Sequence, residues 1–433
     1  MRYDPIDPEL FVRNRRRLTA LMKPGSLAVI HANDVMPTNA DGTLPFRQNA
    51  DLFHLTGIDQ EETVLLLFPD AGDPRDREIV FVKETSELIA VWDGRKLSRE
   101  EAKRLSGAGR SEWTDAFDGI FQRLVSEATA IYLLTNEHPR AATPVETRND
   151  RFIKSCRERF PLHRLERLAP LTRRLRVFKD EIELEQIRRA CAVTEAGFRR
   201  VLGFIRPGVG EWEIEAEYLH EFVRNRSRGF AYSPIVGGGA NACVLHYLEN
   251  HAVCGDGELV LMDVGAEWAG WASDMTRTVP VNGRFTDRQR AVYDAVLRVF
   301  RGAFQLLRPG RTPLDYQREV IALMERELVG LGLLTTEEVK AQDEDKKAVK
   351  RYFMHGTSHH IGLDVHDVCP PGEPFAPGMV LTVEPGIYIR DETLGIRLEN
   401  TVVVGEEKNI DLMADIPIEA EEIEDLMRSR TPV

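Results

Sequence analysis

The segment HGTSHHIGLDVHD, residues 355–367, carries His355, His359, His360 and His366, four of the eleven histidines in the chain. Imidazole ligates divalent metals and moves protons near neutrality, so this density suggests a metal centre or acid–base catalysis. His355 and His359 have the i, i+4 spacing of a helical zinc pair, but HEXXH is absent, and Gly356 and Gly362 weaken a helix. In extended backbone His359 and His360 point to opposite faces, so only one serves a given site. Spacing leaves open which one, and a lone histidine is more commonly structural.

Two further stretches supply carboxylates. In ELVLMDVGAEWAGWASDMTRTVPV, Asp263 and Asp274 lie equally far from Trp268–Ala269. In GMVLTVEPGIYIRDETLGIRLENTVVV, Glu384 and Glu399 are symmetric about Asp391–Glu392, with Gly395 nearby as a turn residue. Residues equidistant from the turn of an antiparallel hairpin face one another on the same side. Like charges so placed are destabilising. Two such pairs inside apolar strands therefore demand cations or protons, unless the register differs and the carboxylates face water.

The elements that position these groups fall into two parts. Strand-like stretches at 26–32, 63–69, 78–83 and 130–135 alternate with helix-like stretches at 98–107 and 117–128, which predicts a small α/β domain. A long amphipathic helix, capped near Asp180, opens the second part. Further helices are expected near 211–228, 287–307 and 313–331, and the polar stretch 335–351 reads as a solvated helix or loop. Helices and strands are grouped there, so the fold class is α+β. The boundary lies in Pro170–Val177, giving domains 1–172 and 173–433.

Composition bounds the context. The chain has 433 residues, a formal charge of −13 and 42% hydrophobic residues. That charge argues against nucleic acid or anionic membrane as a partner. Five cysteines without a C-x-x-C argue against a disulfide scaffold or zinc ribbon and favour a reducing compartment. The N-terminus does not read as a signal peptide, and no apolar run approaches the ~20 residues that span a bilayer. A cytoplasmic location is expected.

Five ordered motifs, YSPIVGGGANACVLHY, LVLMDVGAEWAGWASDMTRTVPVNGRF, FMHGTSHHIGLDVHDV, GMVLTVEPGIYI and GIRLENTVVV, resemble the Xaa-Pro aminopeptidases (aminopeptidase P) of the pita-bread metallopeptidases. PFRQNADLFHLTG and VWDGRKL resemble the N-terminal domain of the same enzymes, so the likeness covers nearly the whole chain. It implies a C-terminal pita-bread catalytic domain after the smaller α/β domain, and two divalent ions held by Asp263, Asp274, His359, Glu384 and Glu399. Asp274 and Glu399 would bridge them, and His359 would be the one ligand among the four clustered histidines. Four carboxylates balance two divalent cations. One imidazole among oxygens suits Mn²⁺, with Co²⁺, Fe²⁺ or Zn²⁺ admissible.

The resemblance also gives His246 and His366 catalytic roles, with Glu384 relaying protons. His355 becomes a substrate-pocket residue, and Tyr388 and Arg397 support the site. Trp92 would serve a neighbouring subunit of a homo-oligomer, dimer or tetramer, or else be a core residue. His360 stands where relatives commonly carry a bulky aromatic, and CPPGEPFAPGM is shorter than in some of them. The expected activity is hydrolysis of the N-terminal Xaa-Pro bond of peptides with proline at position 2. A prolidase restricted to Xaa-Pro dipeptides is the alternative, and a non-catalytic pita-bread binding protein a more distant one.

Overall fold

The computed structural model of the chain describes residues 3–142, 144–342 and 347–429. The chain divides into two units, one of Asp4–Arg176 and one holding Tyr3 and the chain from Val177 on. The division follows Arg176 because the helix Ala169–Arg176 sends Ala169 and Leu175 into the N-terminal core. The Arg176 guanidinium also donates to Asp51 at 2.9 Å.

The N-terminal unit is built on six strands: β1 (Ser26–His31), β2 (Val64–Leu67), β3 (Glu78–Val82), β4 (Arg110–Trp113), β5 (Ala130–Leu133) and β6 (Arg164–Arg167). They lie in the order β4-β3-β2-β1-β5-β6. β2 pairs antiparallel with β1 and β3, and the other pairs are parallel. Successive side chains alternate between faces, so both faces are apolar. Ala28, Ile30, Leu65 and Leu67 join one core with Leu18, Leu52 and Ala102 from helices. Leu27, Val29, Val64 and Leu66 join the other with Phe117, Phe121 and Cys156.

The second unit begins with the helix Glu181–Phe204. Asp180 caps it, accepting from the amides of Ile182 and Glu183, while Glu183 accepts from the amide of Asp180. The helices Glu211–Arg224, Asp287–Leu306 and Pro313–Gly330 follow the sequence expectation closely. In the polar stretch a helix covers Thr336–Ala341 and a short 3₁₀ turn Ala348–Arg351. Residues 343–346 of it lie outside the described residues.

The strands of this unit carry the candidate ligands. β7 (Ile235–Gly238), β8 (Leu259–Val264) and β11 (Met275–Pro280) form an antiparallel sheet in the order β11-β8-β7. The hairpin between β8 and β11 ends in the short pair β9 (Glu267–Trp268) and β10 (Trp271–Ala272). β12 (Val380–Val383) and β13 (Gly386–Ile389) return as β14 (Leu394–Arg397) and β15 (Asn400–Val403), with β16 (Ile410–Asp411) beside β15. A bridge between Thr276 and Glu399 joins the two hairpins.

The two registers differ from one another in how well symmetry foresaw them. In the second hairpin Val383 faces Asn400 and Gly386 faces Arg397, so Glu384 and Glu399 occupy matched positions. The ladder opens between them at Pro385, which has no amide hydrogen to give. In the first hairpin the expected opposition fails. Asp263 faces Thr276, and Trp268 faces Trp271. The turn is Ala269–Gly270, both at positive φ, as a two-residue hairpin turn demands. Centring the hairpin there shifts the register by two, so Asp263 and Asp274 are diagonal rather than opposite. Gly395 is also not in the turn. It lies in β14 opposite Tyr388, and a Cβ there would come within 2.2 Å of the Ala242 carbonyl oxygen.

Candidate metal centre

Four carboxylates and one imidazole converge where the hairpins meet the 355–367 segment. Ligand atoms of Asp274, His359 and Glu399 lie within 4.8 Å of one another. His359 Nε2 is 3.3 Å from Asp274 Oδ2 and 3.8 Å from Glu384 Oε1. Asp263 joins through Tyr232, whose hydroxyl lies 2.7 Å from Asp263 Oδ1 and 2.5 Å from Asp274 Oδ1. Asp274 and Glu399 are buried.

The electrostatics are those of an acidic cluster short of positive charge. Burial pushes Asp274 up, with Asp263 adding repulsion and His359 opposing. Burial also raises Glu384 to about 7 against the pull of His359 and Arg397. Glu399 rises well above the carboxylate range through burial and the neighbouring carboxylates. Burial alone would lower His359, but its bond to Asp274 and the charges of Glu384 and Asp274 lift it to about 9. Ionising such a group of carboxylates together requires cations. Hard oxygen donors with a single imidazole suit divalent ions of the Mn²⁺ type, so the donor set fits the implied metals.

Each donor is held by a second set of contacts. His359 Nδ1 faces the His360 carbonyl oxygen at 3.0 Å, which puts the ring hydrogen there and turns Nε2 toward the carboxylates. Arg397 donates from Nη2 to Asp263 at 2.6 Å, from Nη1 to the Tyr388 hydroxyl at 2.8 Å and from Nε to Thr276 Oγ1 at 3.1 Å. Thr276 in turn donates to Glu399 Oε2 at 2.6 Å. Fully buried Arg277 donates to the Glu399 backbone oxygen at 2.7 Å and to the Pro417 backbone oxygen at 2.8 Å, fixing the strand behind that carboxylate.

The other clustered histidines separate by environment. His366 stands over His359, with ring centroids 4.4 Å apart and planes at 85°. His355 has both ring nitrogens committed. The Gly356 carbonyl can only accept, so His355 Nδ1 donates to it at 2.7 Å. In the neutral ring Nε2 then accepts from the Tyr388 hydroxyl at 2.8 Å, whose oxygen receives Arg397. Burial, helped by Arg397, lowers His355 to about 4 and keeps it neutral. His360 is buried away from the cluster, beside the Lys179–Asp367 ion pair at 2.9 Å. His246 is exposed on the irregular segment after β7 and lies near enough to His355 to oppose its protonation. Trp92 is 82% exposed on the helix Glu87–Asp93, so it is not a core residue.

Tyr232, Thr276, Arg277 and Lys179 did not emerge from the sequence as site residues. Tyr232 opens the motif YSPIVGGG, and its position there was the available signal. The others lie beside charged or ligand residues without any spacing that marks them.

Comparison with known proteins agrees with this geometry. The model of metallopeptidase family M24 matches residues 185–406, and that of the aminopeptidase P N-terminal domain matches residues 11–132. The Xaa-Pro aminopeptidase of Escherichia coli (strain K12) is 36% identical, with 98% of each chain covered. That of Haemophilus influenzae is 34% identical, with 97% of each covered. The structure of aminopeptidase P from E. coli with the inhibitor Pro-Leu superposes with a TM-score of 0.88 at 35% identity, over 99% of both chains. Family model, near-complete relatives and shared fold agree, and the chain belongs to metallopeptidase family M24, among its aminopeptidases P.

Proposed function

We propose that the chain removes the N-terminal residue of peptides with proline at position 2, using two divalent cations held by Asp263, Asp274, His359, Glu384 and Glu399. The observation that carries this reading is the convergence of Asp274, His359 and Glu399, with Glu384 and Asp263 beside them, where burial penalises ionisation of Asp274, Glu384 and Glu399. Bound there, divalent cations acidify water and polarise a carbonyl.

The chain's own residues then act around the scissile bond. Glu384, 3.8 Å from His359 Nε2 within the cluster, takes a proton from the attacking water and returns it to the departing proline nitrogen. His366, above His359, donates to the oxygen on which negative charge develops. His246 reaches the bound peptide from the exposed side. His355 offers its ring face rather than a nitrogen, and Tyr388 and Arg397 lock that ring in place.

The proline preference follows the relatives. The E. coli protein was solved with Pro-Leu, a dipeptide that begins with proline. Arg397 donates to Asp263, Tyr388 and Thr276, a supporting role that either enzyme type would use, so it does not divide an aminopeptidase from a prolidase. The near-complete Xaa-Pro aminopeptidase relatives favour an aminopeptidase, open beyond the proline. The same reading takes Mn²⁺ as the working cation, the cytoplasm as the compartment and a homo-oligomer as the assembled state. Exposed Leu88, Val91 and Trp92 on one short helix supply an apolar face for a second copy. Among the described residues no helix is long and apolar enough to cross a membrane.

The test is hydrolysis of an Xaa-Pro-Yaa peptide by chelator-treated protein, before and after Mn²⁺ is added back. Activity is expected to vanish and return. Full activity in protein shown by elemental analysis to be metal-free would overturn the proposal.

A further inference from the structure

His246 lies on backbone that belongs to neither strand nor helix, residues 244–252, and its side chain is exposed. Such a side chain keeps one orientation only if the backbone beneath it is tied down. The tie is Glu211, the first residue of the helix Glu211–Arg224 and 0% exposed. Its Oε1 accepts from the Gly238 amide at 2.7 Å and from Asn241 Nδ2 at 3.0 Å. Its Oε2 accepts from the Tyr247 hydroxyl at 2.7 Å and from the Ala252 amide at 2.8 Å. The four donors sit before, within and at the end of the His246 segment.

Burying a carboxylate is costly unless it is fully hydrogen-bonded. Among the described residues no Lys or Arg forms an ion pair with Glu211, so the loop itself supplies the compensation. Displacing the loop would strip a buried carboxylate of its donors, which makes that carboxylate a stiff anchor. Tyr247 carries the constraint to the peptide bond next to His246. Its ring packs with Ile235, Leu261 and Tyr388, and its hydroxyl also receives Asn241 Nδ2 at 3.0 Å. One turn further along the helix, Glu215 accepts from Asn250 Nδ2 at 2.8 Å and holds the far end of the segment.

We propose that Glu211 is a positioning residue for catalysis, setting the orientation of His246 through the Tyr247 hydroxyl while touching neither cation nor substrate. This rests on the proposed reading of the site and adds to it a residue outside the ligand set. A glutamine at 211 would keep two acceptances and turn an amide hydrogen toward the Ala252 amide. A phenylalanine at 247 would keep the packed ring and remove the hydroxyl, and with it the link to Glu211 and the contacts to Asn241 and His251.

The experiment is a double-mutant cycle on the metal-loaded, full-length protein. Turnover of an Xaa-Pro-Yaa peptide, bound metal and thermal midpoint are measured for wild type, Glu211→Gln, Tyr247→Phe, His246→Ala and each of the first two combined with His246→Ala. Both single variants are expected to keep their metal and lose roughly 10- to 100-fold in kcat, as a misplaced catalytic group does, with KM changed less than about 2-fold. In the His246→Ala background the same substitutions should cost less than about 2-fold, because the group they position is gone. If Glu211→Gln fails to fold, Tyr247→Phe alone carries the test. Wild-type kcat in Tyr247→Phe, or a loss fully retained without His246, would overturn the positioning role alone. Absence of Xaa-Pro turnover by the wild type would overturn the reading of the site together with it.

Discussion

His359 turns one ring nitrogen to the carboxylates because the other faces a backbone carbonyl, whereas His366 and His246 ligate nothing in the proposed assignment. That difference predicts separable phenotypes. His359→Ala should lower the divalent ions bound per chain and abolish most turnover. His366→Ala and His246→Ala should retain metal and lose roughly 10²–10⁴-fold in kcat, the usual range for a positioned acid–base group. Metal analysis beside steady-state kinetics checks both, and metal loss in His366→Ala as complete as in His359→Ala would reassign the roles. Arg397→Lys should be damaging despite conserving charge, since one ammonium cannot serve Asp263, Tyr388 and Thr276 together. The clustered histidines and carboxylates were legible in the sequence, and Tyr388 and Arg397 through the resemblance, but Tyr232, Thr276 and Arg277, which hold Asp263, Asp274 and Glu399, were not. Tyr232 is neutral at ordinary pH, and nothing in its spacing ties it to Asp263, 31 residues further on.

Elements explain why one hairpin was legible and the other only roughly so. The strands around Glu384 and Glu399 are apolar and of equal length, so their symmetry axis coincides with the real turn. The turn at Ala269–Gly270 requires positive φ at an alanine, and alanine gives no sign of it. Asp263 and Asp274 still share a face, because a shift of two keeps a strand's side chains on the same side, and both meet the Tyr232 hydroxyl. In the N-terminal sheet the apolar strands were legible, while β4 (RSEW) and β6 (RLER) were not. Both are edge strands, where polar sequence discourages pairing with other chains and hides the period. Gly395→Ala tests the packing that symmetry misjudged. The new methyl would drive into the Ala242 carbonyl, separating β14 from the 3₁₀ turn Gly239–Cys243 that leads into the His246 segment. A loss of about 1–3 kcal/mol in stability is expected from overpacking, read as a lower denaturation midpoint. An unchanged midpoint would show that the close approach is soft.

At the scale of the whole molecule, the N-terminal unit adds a pH sensitivity of its own. His31 ends β1, is buried against Phe117 and Phe152, and has neither ring nitrogen hydrogen-bonded. Burial, with Arg148 and Arg151 adding repulsion and Asp34 opposing, lowers it from 6.5 to about 3. Above pH 6.5 the ring is neutral in folded and unfolded chains alike, so its full contribution is present. Between 6.5 and about 3 only the unfolded chain takes the proton, and stability falls. By pH 5 the loss should reach about 2 kcal/mol. His31→Phe should remove that part of the decline, measured as urea midpoints at pH 7 and pH 5, and equal declines in both proteins would refute it. That an α/β unit precedes an α+β unit was visible in the sequence, because alternating and grouped elements differ in their periodicity.

On the proposed reading the site cleaves the bond before proline in a continuing chain. The test is kcat/KM for Ala-Pro, Ala-Pro-Ala, Ala-Ala-Ala and acetyl-Ala-Pro-Ala, all with Mn²⁺ present. Ala-Pro-Ala should be cleaved at its first bond, and Ala-Ala-Ala far more slowly, since a pocket shaped for the proline ring and tertiary amide loses its fit. The acetylated peptide should resist, because the free amine is expected to orient toward the acidic centre. Efficient turnover of Ala-Pro with none of Ala-Pro-Ala would make the protein a prolidase instead.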